Sequence, residues 1–199
     1  MYKKPANTSH PIHELIQHRW SPRAFSGASV DKVTLTKLFE AARWASSRFN
    51  SQPWRFIVAT QDDSAEFNKL FNCLMGGNQP WAKDAGALVV VVASLKGKPE
   101  SAPNPAFMYD VGLAVGQMVI EAMANGLYVH QMAGIHRDQI KAAYDVPEAH
   151  AIVCCLAIGE MGDKDALPEP YDKREVAPRS RKPLNEFVFS GTWGNSAEL

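Results

Sequence analysis

Apolar positions along the chain follow two patterns, a recurrence at three- and four-residue spacing and an uninterrupted run, and each predicts a different element. Leu35, Leu38, Phe39, Ala42 and Ala45 predict a helix that Asp31 caps and that ends near Ser46. Phe67, Leu70, Phe71 and Leu74 predict another from about Ser64 to Met75, stopped by Gly76-Gly77-Asn78. Ile12, Leu15 and Ile16 predict a first helix with Thr8 or Ser9 as its cap and Pro11 in its first turn, broken where Pro22 disfavours helix at Ser21. Ala87 to Ala93 is apolar without alternation, which predicts a strand buried on both faces, and Ile152 to Ile158 reads the same way. Trp54 to Thr60 and Leu127 to Met132 read as strands, and Arg137 to Tyr144 as a short helix. Phe107 to Asn125 reads as a long helix, apolar almost all round, with small residues at Gly112, Ala114 and Gly116. Such a helix belongs in a core or an interface. From Gly162 onward, Pro168, Pro170, Pro178 and Pro183 interrupt any period, yet Phe187, Val188, Phe189 and Trp193 stand near the end. This predicts an arm that crosses a surface and docks, with a second subunit as one source of that surface.

The chain has 199 residues, which fits one domain over 1–199 with an arm from about 163 to 199. Its 21 basic and 21 acidic side chains cancel, so a general electrostatic grip on nucleic acid or on anionic lipid is not expected. Three cysteines, Cys73, Cys154 and Cys155, are too few for a disulfide scaffold, and a reduced, cytoplasmic setting is the expectation. Met1 to Pro5 has no apolar stretch behind it, so no signal peptide is expected. The run from Ala87 to Leu95 is far short of a membrane span. Neither G-x-G-x-x-G after a strand nor a P-loop, a G-x-S-x-G or an H-E-x-x-H occurs. His10 and His13 have no cysteine or acidic companion, so they read as exposed histidines and no metal site is expected. Cys154 and Cys155, adjacent on a strand, face opposite ways and read as packing residues.

Three constellations carry chemistry. Arg19-x-Ser21-x-Arg23 offers two planar forks and a hydroxyl, a set that suits a phosphate, and equally reads as two solvated arginines. Ser47-Arg48-Phe49-Asn50-Ser51-Gln52-Pro53-Trp54 alternates polar and aromatic residues before a strand. It can present amides to a heterocycle, or be a hydrogen-bonded loop. Arg179-x-Arg181 places two guanidinium groups on one side of an extended segment, as a phosphate clamp or as a basic surface patch. Together the first and third supply enough charge to neutralise a phosphate.

Arg19-x-Ser21-x-Arg23, followed by Ala42-Arg43-Trp44-Ala45-Ser46-Ser47-Arg48-Phe49-Asn50-Ser51-Gln52-Pro53-Trp54-Arg55-Phe56, resembles the nitroreductase family of FMN-dependent oxidoreductases. Asp110 to Leu127 is similar to that family's central helix, His130-Gln131-Met132-Ala133-Gly134 to its flavin-facing loop, and Arg179-Ser180-Arg181-Lys182-Pro183-Leu184 to its C-terminal phosphate-binding element. The resemblance spans roughly residues 10 to 194, with Asn50 to Trp54 its most specific piece.

It implies an α+β fold, a mainly antiparallel central sheet surrounded by helices, in a homodimer that exchanges its C-terminal arm and holds two FMN at the interface. It also implies NADPH or NADH as transient donor and a small-molecule electron acceptor. On the resemblance, Arg19 and Ser21 hold the FMN phosphate and ribityl chain, Arg179 and Arg181 complete the clamp, and Trp20, between Arg19 and Ser21, is a cofactor-binding residue. Arg23 lies near N1 and O2 of the ring as the catalytic residue. Asn78 contacts the ring's pyrimidine edge. Ser46, Ser47 and Arg48 reach the flavin from the partner subunit, and Asn50 is a further cofactor-binding residue. Gln131, Met132, Ala133 and Gly134 lie along the ring, with the Gly134 or Ala133 N–H donating to N5. The family often has Pro at the place of Ser46, a small Ser at that of Arg48 and Glu at that of Ala133. The last two differences bear on the acceptor rather than on the cofactor. The resemblance leaves open an enone, an aldehyde or a halogenated aromatic as acceptor, and a flavin carrier without turnover.

Overall fold

The uninterrupted apolar runs form the middle of the molecule. The computed structural model describes residues 3–99 and 102–198; Met1 and Tyr2 of the N-terminal lead, Glu100 and Ser101 of the Pro-rich loop, and Leu199 lie outside the described residues. Four strands, β1 (Trp54–Thr60), β2 (Ala87–Ser94), β3 (Tyr128–Met132) and β4 (His150–Gly159), form one sheet in the order β1-β2-β4-β3. Every neighbouring pair is antiparallel. Between β2 and β4 the register shifts at Val91/Val92, so Val153 has no partner there.

β2 is buried along nearly its whole length because each of its faces meets helices. Ala87, Val89, Val91 and Ala93 pack with α2 (Lys32–Arg43) and α5 (Phe107–Ala124). Leu88, Val90 and Val92 pack with α3 (Ser64–Phe71), Trp81 of α4 (Gln79–Ala82) and Ile140 of α6 (Arg137–Ala143). The period of two splits one apolar strand between two cores, which is why it shows no alternation.

Asp31 caps α2 through Thr34, as the sequence predicts. The first helix, α1 (Glu14–His18), starts later than predicted. His13 rather than Thr8 or Ser9 caps it, its ring Nδ1 accepting the Leu15 N–H. α3 ends four residues short of Met75, because Leu74 leaves the helix to bridge Ile135 beyond β3. α5 buries one side only: Val111, Ala114, Val115, Met118, Val119 and Ala122 face the sheet, while Met108, Gly112 and Gly116 are exposed. Among the described residues it is the one helix long and apolar enough to cross a membrane, and its inner face is packed on the sheet.

The C-terminal segment docks first on its own chain. α7 (Tyr171–Val176) reaches the N-terminal lead, where Lys4 Nζ donates to the Glu175 carbonyl at 2.7 Å. Arg179 donates to the carbonyls of Lys4 (2.7 Å) and Gln17 (3.1 Å). The end then turns outward, with Phe189 bridging Ser196 and Trp193 93% exposed.

Beyond β4, the Gly162 N–H donates to the Ala24 carbonyl at 2.9 Å, tying the strand after Arg23 to the sheet's end. A Cβ on Gly162 would lie 2.2 Å from the Phe25 carbonyl oxygen, so only glycine permits this approach. Gly162→Ala is expected to destabilise the fold by about 1–3 kcal/mol, read as a lower urea midpoint at unchanged slope.

Candidate functional site

The segment after α1 gathers the first group of predicted residues. Arg19 is half-buried and its Nη1 donates to Ser21 Oγ at 3.4 Å. Burial lowers its pKa below the ordinary guanidinium value, and the charges of Arg179 and Arg181 lower it further. Arg179 is lowered in the same way, by burial and then by Arg181. The two sequence-distant halves of the arginine pattern therefore share one electrostatic neighbourhood. Among the described residues, no acidic side chain forms an ion pair with Arg19, Arg179 or Arg181. Such a cluster of cations is stabilised by an anion. A phosphate monoester, with a charge of about −1.5 to −2 near neutral pH, matches it. Lys4, unremarked in the sequence, joins this neighbourhood, and its ammonium sits 4.8 Å over the Trp20 ring.

Arg23 lies at the other end of the same segment. Its guanidinium is 6.0 Å from the Trp81 ring centre. Its backbone N–H donates to both carboxylate oxygens of Glu175, at 3.1 and 3.0 Å. From β3, His130 Nδ1 meets the Pro22 carbonyl oxygen at 2.8 Å. A carbonyl only accepts, so Nδ1 carries the proton. The His130 ring also lies 4.4 Å from that of Trp81. Burial, aided by the Arg23 charge, pushes the His130 pKa down to about 4 despite the Pro22 bond.

Asn78 and Gly134 meet. Asn78 Nδ2 donates to the Gly134 carbonyl at 2.9 Å, and the Met75 N–H donates to the same oxygen at 3.0 Å. A Cβ on Gly134 would come within 2.9 Å of Asn78 Nδ2. Among the described residues nothing accepts the Gly134 N–H, which leaves a donor for a ligand. Gln131 and Ala133 are exposed here, whereas the Met132 and Trp20 side chains are buried.

Ser46, Ser47, Arg48 and Asn50 stand elsewhere, between α2 and β1. Arg48 donates its N–H to both Asp110 oxygens at 3.2 Å, where Asp110 is buried in the first turn of α5. Ser47 Oγ accepts the Gln52 N–H at 3.0 Å, and Lys98 Nζ donates to the Asn50 carbonyl at 2.7 Å. These bonds hold Phe49, Asn50 and Gln52 at φ of 51°, 52° and 48°, a conformation that side chains disfavour and that clusters at functional sites. Among the described residues no hydrogen bond or ion pair joins this loop to the arginine cluster.

The sequence model described as the Nitroreductase family matches residues 16–160. The chain belongs to the nitroreductase family. A crystal structure of an oxidoreductase containing FMN is 35% identical, superposes with a TM-score of 0.89 and covers 96% of each chain. The 5,6-dimethylbenzimidazole synthase of Rhodospirillum rubrum is 26% identical over 79% of this chain and 85% of its own. The major NAD(P)H-flavin oxidoreductase of Aliivibrio fischeri is 29% identical over 44% of this chain and 41% of its own. The antiparallel sheet with helices on both faces is the nitroreductase fold. The family match ends at the close of β4, before Glu175, Arg179 and Arg181.

Lys4, Trp81, Tyr171 and Glu175 are the residues of this neighbourhood that sequence reasoning missed, and Asp110 and His130 stood in the segments that carry the resemblance without a role of their own. Only the buried charge of Asp110 inside an apolar helix gave a signal. Burial raises the thiols of Cys73 and Cys154 above the usual cysteine range, Cys154 to about 11, as packing residues require.

His130 gives a pH dependence. Its folded pKa lies below the unfolded value of about 6.5, so the unfolded state binds the extra proton as pH falls. On the order of 3 kcal/mol of stability is lost between pH 6.5 and 4 through this group. His130→Asn keeps an N–H for the Pro22 carbonyl, and its denaturation midpoint is expected to fall less between those pH values than the wild type's.

Proposed function

We propose that this protein is an FMN-dependent oxidoreductase that takes hydride from NADPH or NADH and reduces a nitroaromatic, a quinone or a related electrophilic acceptor, alternating donor and acceptor in one cleft. The observation that carries the reading is the convergence of Arg19, Arg179 and Arg181 with no acidic partner among the described residues. The 35% identical FMN-containing oxidoreductase supports FMN as the anion's owner, and the Aliivibrio relative supports the nicotinamide donor.

When bound, FMN supplies the hydride chemistry. Arg19, Ser21, Arg179 and Arg181 hold its phosphate end. Arg23 presents fixed positive charge where negative charge grows on reduction, and this stabilises the two-electron product. The unpaired Gly134 N–H offers a hydrogen bond to the ring edge. Asn78 orients that loop from below. The protein needs no dinucleotide-binding fingerprint if the nicotinamide visits only briefly.

A homodimer completes the site in this reading. The outer face of α2 and α5 carries a shallow apolar groove of about 530 Å³ lined by Ala41, Trp44, Gly112, Leu113, Gly116 and Ile120, among others. Trp44 in its lining is 73% exposed, and Phe49 of the following loop is 70% exposed. A second copy covering this face brings its Ser46–Asn50 loop toward the first copy's flavin.

The purified protein is expected to show a flavin spectrum that bleaches anaerobically with NADPH or NADH and returns on adding a quinone or nitroaromatic. A colourless protein that takes up no added FMN defeats the reading, and bound FMN that neither donor bleaches identifies a carrier. Arg181→Ala is expected to weaken FMN binding about tenfold, the loss of one charge-assisted contact, measured by flavin fluorescence. Arg23→Ala is expected to retain FMN and to slow its reduction about a hundredfold in stopped flow.

A further inference from the structure

Glu175 is 1% exposed, and the reading above gives it no part in the chemistry. Its carboxylate accepts the Arg23 N–H on both oxygens, at 3.1 and 3.0 Å, and the Ala24 N–H at 3.3 Å. Among the described residues it forms no close ion pair, so peptide N–H groups supply its hydrogen bonds, with the charges of Lys4 and Arg23 acting from farther off. An unsatisfied carboxylate in this position would be strongly destabilising, and removing it strands two buried donors. On the other side of the same segment, His130 binds the carbonyl of Pro22. The peptides flanking Arg23 are thus held at their acceptor by β3 and at their donors by α7. One turn before Glu175, the Tyr171 hydroxyl donates to the Gly77 carbonyl at 2.9 Å, next to Asn78. α7 therefore touches both the arginine segment and the Asn78–Gly134 junction.

We infer that Glu175 is the positioning residue of Arg23: delivered by α7 of the C-terminal segment, it fixes the main chain from which the Arg23 guanidinium is aimed over Trp81 into the site. This rests on the functional reading above for what Arg23 does there. The inference is confined to direction. The Glu175 carboxylate bonds Arg23 and Ala24 and not Arg19, Arg179 or Arg181, and α7 reaches Lys4 through the Glu175 carbonyl, which Glu175→Gln leaves in place, so cofactor affinity and Arg23 chemistry are separable.

The test is a double-mutant cycle of Glu175→Gln and Arg23→Ala in the FMN-loaded full chain, with amide exchange measured on the apoprotein. Glu175→Gln keeps the volume and one acceptor oxygen. It is expected to lower the limiting rate of flavin reduction by NADPH or NADH about tenfold, while the dissociation constants of FMN and of the donor stay within twofold. In the Arg23→Ala background the same change is expected to lower the rate no further. In the apoprotein, the Arg23 and Ala24 amides are expected to exchange at least tenfold faster. A wild-type rate in Glu175→Gln, or an equal fall in both backgrounds, overturns the proposal. If Glu175→Gln does not fold, Glu175→Asp, which keeps the charge and shortens its reach, is read in the same cycle. Failure of both to fold makes Glu175 a residue of stability alone and also overturns it. A wild-type protein that binds no FMN, or that neither donor reduces, defeats the functional reading. A wild type that bleaches beside an unaltered Glu175→Gln defeats this inference only.

Discussion

Strand β2 has almost no contact with solvent, and the rest of the molecule is arranged around that constraint. Its backbone is satisfied by β1 and β4, and its side chains alternate between two separate cores. An apolar strand of this kind needs a helical layer on each face. α2 and α5 supply one, and α3, α4 and α6 supply the other. With both faces covered, polar chemistry is displaced to the sheet's rim. There, the segment from Arg19 to Phe25 runs past β3 and across the end of β4. Gly162 and the buried ring of Trp81 fix how closely it approaches.

The site's electrostatics are asymmetric for a physical reason. Among the described residues, Arg19, Arg179 and Arg181 have no carboxylate ion pair, while the buried Glu175 carboxylate hydrogen-bonds peptide N–H groups and reaches Arg23 and Lys4 through its charge alone. A salt bridge in its place would cancel the charge an anionic ligand needs. With Glu175 bonded to main chain instead, Arg19, Arg179 and Arg181 keep the charge that the proposed function gives to a phosphate. His130 follows the same logic. Held neutral by burial, it donates one hydrogen bond and adds no further positive charge beside Arg23.

The loop from Ser46 to Gln52 shows a different economy. Three side-chain-bearing residues are held at positive φ, each at a cost of order 1–3 kcal/mol, and Asp110, Ser47 and Lys98 over-determine their geometry. The loop borders the exposed apolar face of α5, not the arginines of its own chain. In the proposed dimer, the same subunit contact that covers α5 also brings this rigid loop to the cofactor, so assembly and site completion are one event.

The elements with a strong local period were legible in the sequence. β1, β2 and α5 stand within a residue of where the pattern puts them, and α2 starts at its Asp31 cap but ends at Arg43, three residues before Ser46, because burial of a regular element writes its period into the chain more firmly than its last turn. The nitroreductase resemblance was legible too, most specifically in Asn50 to Trp54, and the family match over residues 16–160 bears it out. The helix start at His13 and the early end of α3 at Phe71 were not, since a histidine ring and a distant bridge to Ile135 set them. Nor did sequence distinguish the two sides of α5, which is apolar on both. Whether Arg19 and Arg181 meet, and what Glu175 does, was decided only by tertiary structure. Their partners lie some 150 or more residues away, and local spacing carries no record of contacts made across the folded chain.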